Sequence, residues 1–104
     1  MAEKNDKTAL VVSAHSADFV WRAGGAIALY AKRGYRVTIV CLSFGERGES
    51  GKLWRQEGAT IESVKAARKT EAEGAAAVLG AAEVEFFDLG DYPMRIGEDA
   101  LFRL

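Results

Sequence analysis

Two hydrophobic periods alternate along this chain, and each change of period marks an element. Behind a charged tail, Met1 to Lys7, the stretch from Thr8 to Ser13 is a short apolar run rich in valine that ends in small residues, which predicts a buried strand. From about Asp18 to Arg33 the period becomes helical: the apolar residues Val20, Trp21, Ala23, Ile27, Ala28, Tyr30 and Ala31 recur at helical spacing, with Gly34 as the stop. Gly24 and Gly25 inside that helix cost about 1 kcal/mol each against alanine, so a close helix-to-sheet or backbone contact is expected there. Tyr35 to Ser43 predicts a second strand, and the resulting βαβ unit implies a parallel sheet with a right-handed crossover.

Phe44 to Gly58 has neither period and places Gly45, Gly48, Gly51 and Gly58 among charged residues, the pattern of a long loop leaving a strand end. A second helix is predicted from about Thr60 to Leu79, with Ile61, Val64, Ala67, Ala75, Val78 and Leu79 buried and Gly80 as its stop. Glu83 to Leu89 reads as a third strand through Val84, Phe86 and Phe87. Gly90 to Leu104, with the sole proline Pro93, reads as a loop leading into another element. The predicted class is α/β: a Rossmann-like parallel sheet flanked by helices, in one domain over 1–104. Three parallel strands with two helices leave an edge and much apolar face uncovered, so the chain is expected to be the N-terminal portion of a larger domain.

Composition narrows the function. With 49% hydrophobic and 28% charged residues among 104, the chain has the make-up of a soluble globular domain. Its 14 basic and 15 acidic residues are mixed along the chain, which argues against nucleic acid or an anionic membrane as partner. The single cysteine, Cys41, lies in a β-branched run and is expected to be a buried, reduced thiol. No signal peptide or membrane span is evident, so a cytoplasmic location is expected. The sequence is silent on oligomeric state and compatible with a homo-oligomer.

Chemistry concentrates where the first strand meets its helix. In Val11-Val12-Ser13-Ala14-His15-Ser16-Ala17-Asp18-Phe19 the only histidine is followed three positions later by an aspartate, at the strand end where open α/β sheets place their sites. Imidazole and carboxylate are both zinc ligands, so His15 and Asp18 are candidate halves of a metal site. The plainer alternative is that Ser16 or Asp18 caps the helix. A dinucleotide site needs glycines in this turn, and Gly45, Gly48 and Gly51 lack the lysine-hydroxyl pattern of a phosphate loop. Nucleophilic catalysis finds no nucleophile elbow at Ser13 or Ser16. The loop Gly45-Glu46-Arg47-Gly48-Glu49-Ser50-Gly51-Lys52 mixes candidate bases with cations, and reads either as a solvated surface loop or as part of a site. Arg68 and Glu71 form either a helix-surface ion pair or, through the arginine fork, a seat for a substrate carboxylate.

Taken in order, these stretches resemble the LmbE-like, or PIG-L, superfamily of zinc N-deacetylases. Ala14-His15-Ser16-Ala17-Asp18-Phe19 matches the hallmark Ala-His-Pro-Asp-Asp-Glu, Gly45-Glu46-Arg47-Gly48-Glu49 matches a Gly-Glu-x-Gly-Glu loop, and Arg68-Lys69-Thr70-Glu71 through Leu79-Gly80 matches an Arg-x-x-Glu helix ending in Leu-Gly. The resemblance implies a zinc (Zn2+) cofactor held by His15 and Asp18. Ala17 stands where the deacetylases have their general base, a departure that is similar to the hydratase branch of the superfamily. That branch implies addition of water to a carbon-carbon double bond of a small polycarboxylate. Glu49 is then the expected proton-transfer residue with Glu46 as the competing choice, and Arg68, Arg47 and Lys52 are expected to bind substrate carboxylates. The resemblance also implies a third zinc ligand, a downstream histidine, and a further catalytic histidine beyond Leu104; this chain has one histidine in all. The alternatives are a zinc N-deacetylase with a displaced base and a non-catalytic α/β module.

Overall fold

The computed structural model describes residues 7–48, 50–91 and 94–104. Within them β1 (Thr8–Ser13), β2 (Arg36–Cys41) and β3 (Glu83–Phe86) form a parallel sheet in the order β1-β2-β3. The register sets Val11 beside Ile39, Ile39 beside Val84, and Cys41 beside Phe86. The central strand is the one whose sequence is apolar without alternation: Val37, Ile39, Val40 and Cys41 are all buried, as a strand covered on both faces requires. β1 alternates instead, and on one face it leaves Leu10 and Val12 about half exposed.

The opposite face is covered by α1 (Asp18–Lys32) and α3 (Ile61–Leu79). Phe19, Ile27, Ala72 and Ala76 pack there against Val37, Ile39 and Cys41. On α1 the buried line is Phe19, Ala23, Ile27 and Ala31, four residues apart; the sequence pattern singles out the last three but not Phe19. Val20, Trp21, Ala28 and Tyr30 are exposed, Trp21 to 86%. Two alanines on the buried line let the helix lie against the sheet with one aromatic anchor at its start, whereas a tryptophan on that line would hold it off. The close contact expected at Gly24 and Gly25 is also absent. A Cβ on Gly24 would rest 3.8 Å from the Leu79 side chain, an ordinary contact between α1 and α3, and one on Gly25 would meet nothing.

α3 begins at a reciprocal cap. The Thr60 hydroxyl accepts from the Ser63 N–H at 3.1 Å, while Ser63 Oγ accepts from the Thr60 N–H at 2.9 Å. It ends at Gly80, whose φ of 87° is left-handed and whose added Cβ would lie 3.0 Å from Ala31 Cβ. The helix buries Val64, Ala72 and Ala76; Val78, expected in the core, is 88% exposed.

Two short helices depart from the sequence reading. α2 (Gly51–Trp54) lies within the predicted long loop, and α4 (Glu98–Arg103) occupies the tail, where it buries Ala100 and sets the Arg103 guanidinium 3.9 Å from the Phe87 ring centroid. Met1 to Asp6 and Pro93 lie outside the described residues. Among the described residues, no helix is long and apolar enough to cross a membrane.

Beyond the strands, backbone pairing persists and draws three loops together at the C-terminal edge of the sheet. Leu42 N–H donates to Ser13 O (2.8 Å), Ser43 N–H to Ala14 O (3.0 Å), Phe87 N–H to Cys41 O (2.9 Å) and Leu89 N–H to Leu42 O (2.8 Å). The two glycine environments above predict opposite effects in urea unfolding. Gly80→Ala, forced into a left-handed conformation against Ala31, is expected to lose about 1–3 kcal/mol. Gly25→Ala, in an open helical position, is expected to gain about 0.5–1 kcal/mol.

Candidate active site

The turn after β1 is organised around His15 and Asp18. Asp18, the first residue of α1, turns its Oδ2 back so that it accepts from the His15 N–H at 3.2 Å and stands 3.1 Å from the ring Nδ1. Neither capping alternative holds: the N-cap is Ala17, with no side-chain cap, and the buried Ser16 donates instead to Phe44 O at 2.9 Å. That bond ties the first loop to the second.

The second loop closes on itself. Ser43 Oγ donates to Ala14 O (2.9 Å) and accepts from the Gly45 N–H (3.2 Å), and Ser50 Oγ donates to Gly45 O (2.8 Å). Glu46 is only 2% exposed: its Oε1 accepts from the Phe44 N–H at 3.2 Å, and its carbonyl accepts from the Trp54 indole N–H. Phe44 stacks on Phe86 with ring centroids 4.7 Å apart, which seats the loop on β3. Glu49 lies outside the described residues.

A third loop brings a residue that the sequence reading passed over. Asp91, 4% exposed, sets Oδ1 3.1 Å from His15 Nε2, and its Oδ2 accepts the N–H groups of Arg47 and Gly48, each at 2.8 Å. Burial alone would raise this carboxyl, but the Gly48 and Arg47 N–H groups and the neighbouring imidazole outweigh it and hold it below the usual aspartate value. The signal was present: Asp91 follows the third strand as His15 follows the first and Glu46 the second, and ligands bind outside the carboxyl ends of parallel strands.

Arg68 makes the expected ion pair on its helix but is not simply a surface residue. Its Nη1 pairs with Glu71 at 3.2 Å, yet the side chain is only 13% exposed, and its Nε donates to Ser16 Oγ (3.1 Å) and Phe44 O (3.3 Å). It borders an open cleft of about 680 Å3 whose wall also includes Gly48, Lys52, Arg55, Gln56 and Glu71. Lys52 is thus placed with Arg68, and Arg55 and Gln56 join them without having been singled out in the sequence. Arg47 is exposed and meets the site through its backbone N–H.

Among the described residues no group of three or more His, Cys, Asp and Glu side chains is arranged to hold a metal ion. His15 Nδ1 and Asp18 Oδ2 do suit two positions of one. Donors about 2.0–2.1 Å from zinc at a tetrahedral angle lie about 3.3 Å apart, close to the 3.1 Å found. The other ring nitrogen faces a carboxylate, as metal-bound histidines commonly have it.

A three-stranded parallel sheet with helices packed on it and a histidine-aspartate pair at its carboxyl edge defines an α/β protein with its candidate site at the strand ends. Residues 10–102 match the family model described as PIG-L, GlcNAc-PI de-N-acetylase, and the chain belongs to that family. Over 98 residues it is 69% identical to 4-oxalmesaconate hydratase of Pseudomonas putida, covering 94% of this chain and 38% of that protein. It is 32% identical over 88 residues to a probable N-acetyl-alpha-D-glucosaminyl L-malate deacetylase 2 of Bacillus anthracis, covering 85% of this chain and 38% of that one. Among solved structures, GalB, the 4-carboxy-2-hydroxymuconate hydratase of Pseudomonas putida KT2440, superposes with a TM-score of 0.89 at 69% identity, over 93% of this chain and 40% of that one. The N,N'-diacetylchitobiose deacetylase of Pyrococcus horikoshii shares the fold, with a TM-score of 0.80 at 24% identity over 93% of this chain and 34% of that one. The chain therefore spans well under half the length of these relatives.

Cys41 sits beneath this edge, and burial, aided by the negative charge of Asp18, pushes its thiol up to about 12. At pH 8 only about one thiol in ten thousand would then be ionised. Cys41 is expected to resist alkylation at pH 8 in the native protein and to react once unfolded, as followed by mass spectrometry of its peptide. Equal native and unfolded rates would contradict the buried placement.

Proposed function

We propose that the protein is a zinc-dependent hydratase, a hydro-lyase that adds water across the carbon-carbon double bond of 4-oxalomesaconate to give 4-carboxy-4-hydroxy-2-oxoadipate, a step of gallate and protocatechuate breakdown in the cytoplasm. The observation that carries the reading is the 69% identity to a hydratase over nearly the whole of this chain. It is supported by the cleft bordered by Lys52, Arg55 and Arg68, the last hydrogen-bonded to Ser16 of the turn that holds His15. Three cations around one opening suit a substrate with several carboxylates, and an arginine can engage a carboxylate with two parallel bonds.

His15 and Asp18 would hold the zinc, with a third protein ligand from outside the described residues. Zinc bound there supplies Lewis acidity toward substrate or water oxygen. Ala17, half-buried beside Ser16, brings a methyl group where the deacetylases have a carboxylate base. Glu49 is the residue we assign to proton transfer. Glu46 is the weaker choice, because its carboxylate is buried and accepts the Phe44 N–H two residues back in its own loop.

A second reading, an N-deacetylase, is favoured by the family match and by the 32% identical relative. Zinc content and hydration of 4-oxalomesaconate, measured together on the purified protein, separate the two. Hydration with stoichiometric zinc is the expected result. Glu49→Ala should then cost a factor of about a hundred to ten thousand in kcat with zinc retained; if neither it nor Glu46→Ala slows hydration, the loop assignment fails. Hydrolysis of N-acetyl sugars without hydration, increased by Ala17→Asp, would replace the hydratase reading with the deacetylase one.

A further inference from the structure

Asp91 belongs to no part of the chemistry assigned above, yet it is the best-connected carboxylate of the site. Its two oxygens face different loops: Oδ1 meets Nε2 of His15, from the turn after β1, and Oδ2 receives the consecutive N–H groups of Arg47 and Gly48, from the loop after β2. With the side chain almost fully buried, water does not substitute for these partners at low cost. We propose that Asp91 is a positioning residue that orients His15 toward the metal and, with the same carboxylate, fixes the backbone at Arg47 and Gly48; this rests on the hydratase reading above.

The geometry supplies the reason. An imidazole held at Nε2 by a carboxylate presents Nδ1 as its remaining nitrogen, and Nδ1 is the one beside Asp18. Turning the ring over would remove both relations at once. A carboxylate acceptor also makes the imidazole a stronger donor to a metal. On the other oxygen, two adjacent N–H groups converge within 2.8 Å, so Arg47 and Gly48 cannot shift along the chain direction without abandoning the bond. Gly48 is also a wall of the cleft, so the same contact shapes the opening through which substrate would enter. An asparagine here could not do both jobs. It has one acceptor oxygen, and its NH2 would face either the two backbone donors or His15 Nε2, where it would demand the opposite tautomer.

The test compares the wild-type protein with Asp91→Asn in zinc affinity by chelator competition, in the visible absorption of the cobalt-substituted protein, and in kcat and KM for hydration. Zinc affinity is expected to fall about 10- to 100-fold, the cobalt bands to shift, and kcat to fall more than KM rises. Wild-type zinc affinity and cobalt bands in the variant, with only its melting temperature lowered, would overturn the positioning role while leaving the hydratase reading intact. A wild-type protein that takes up no zinc would overturn both. Should Asp91→Asn fail to fold, Asp91→Glu, which keeps the charge but displaces the oxygens by one methylene, is read in the same way: weakened zinc binding supports the role, and unchanged binding overturns it.

Discussion

Everything at the site depends on parallel pairing of β1 and β3 with the central β2. Parallel strands end on the same edge, so the segments that follow them have to meet there, whatever their separation in sequence. The pairing runs on past the strands as backbone bonds from Leu42 to Ser13, Ser43 to Ala14, Phe87 to Cys41 and Leu89 to Leu42. It brings His15 within 3.1 Å of Asp91, a residue 76 positions away.

That edge is also where the molecule buries its polar groups. Among the described residues the buried polar side chains are Ser13, Ser16, Ser43, Glu46, Ser50 and Asp91, and all six belong to this region. Each has a partner, and no buried side-chain nitrogen or oxygen among the described residues lacks one. A polar cluster of this kind is tolerable only when satisfied throughout, and once satisfied it holds loops more rigidly than apolar packing would. The apolar work is done elsewhere, by Phe19, Ile27, Val37, Ile39, Ala72 and Ala76 between the helices and the sheet. The two layers divide the tasks: one supplies stability, the other places side chains. Arg68 bridges them, rooted on α3 and reaching Ser16 and Phe44.

Under the proposed reading, Ala17 in an otherwise family-like turn is where this chain would part from a deacetylase. The His15–Asp18 pair and the loop after β2 match the family pattern in sequence, while the position that the resemblance assigns to the deacetylase base carries only a methyl group. On the proposed reading, proton transfer would come from another direction, and we assign it to the loop after β2.

The sequence by itself determined the alternation of strands and helices, the parallel α/β class, the stops at Gly34 and Gly80 and the candidacy of His15, Asp18 and Arg68. Those features follow from local periodicity, from caps, and from motifs only a few residues long. Tertiary structure decided which line of α1 faces the sheet, because packing selected Phe19, Ala23, Ile27 and Ala31 over Val20 and Trp21. It also turned Glu46 inward, where its carboxylate is buried and accepts the Phe44 N–H. Asp91 was beyond local reading for the same reason: a lone aspartate in a tail acquires meaning only when β3 pairs with β2 and carries it to His15, Arg47 and Gly48.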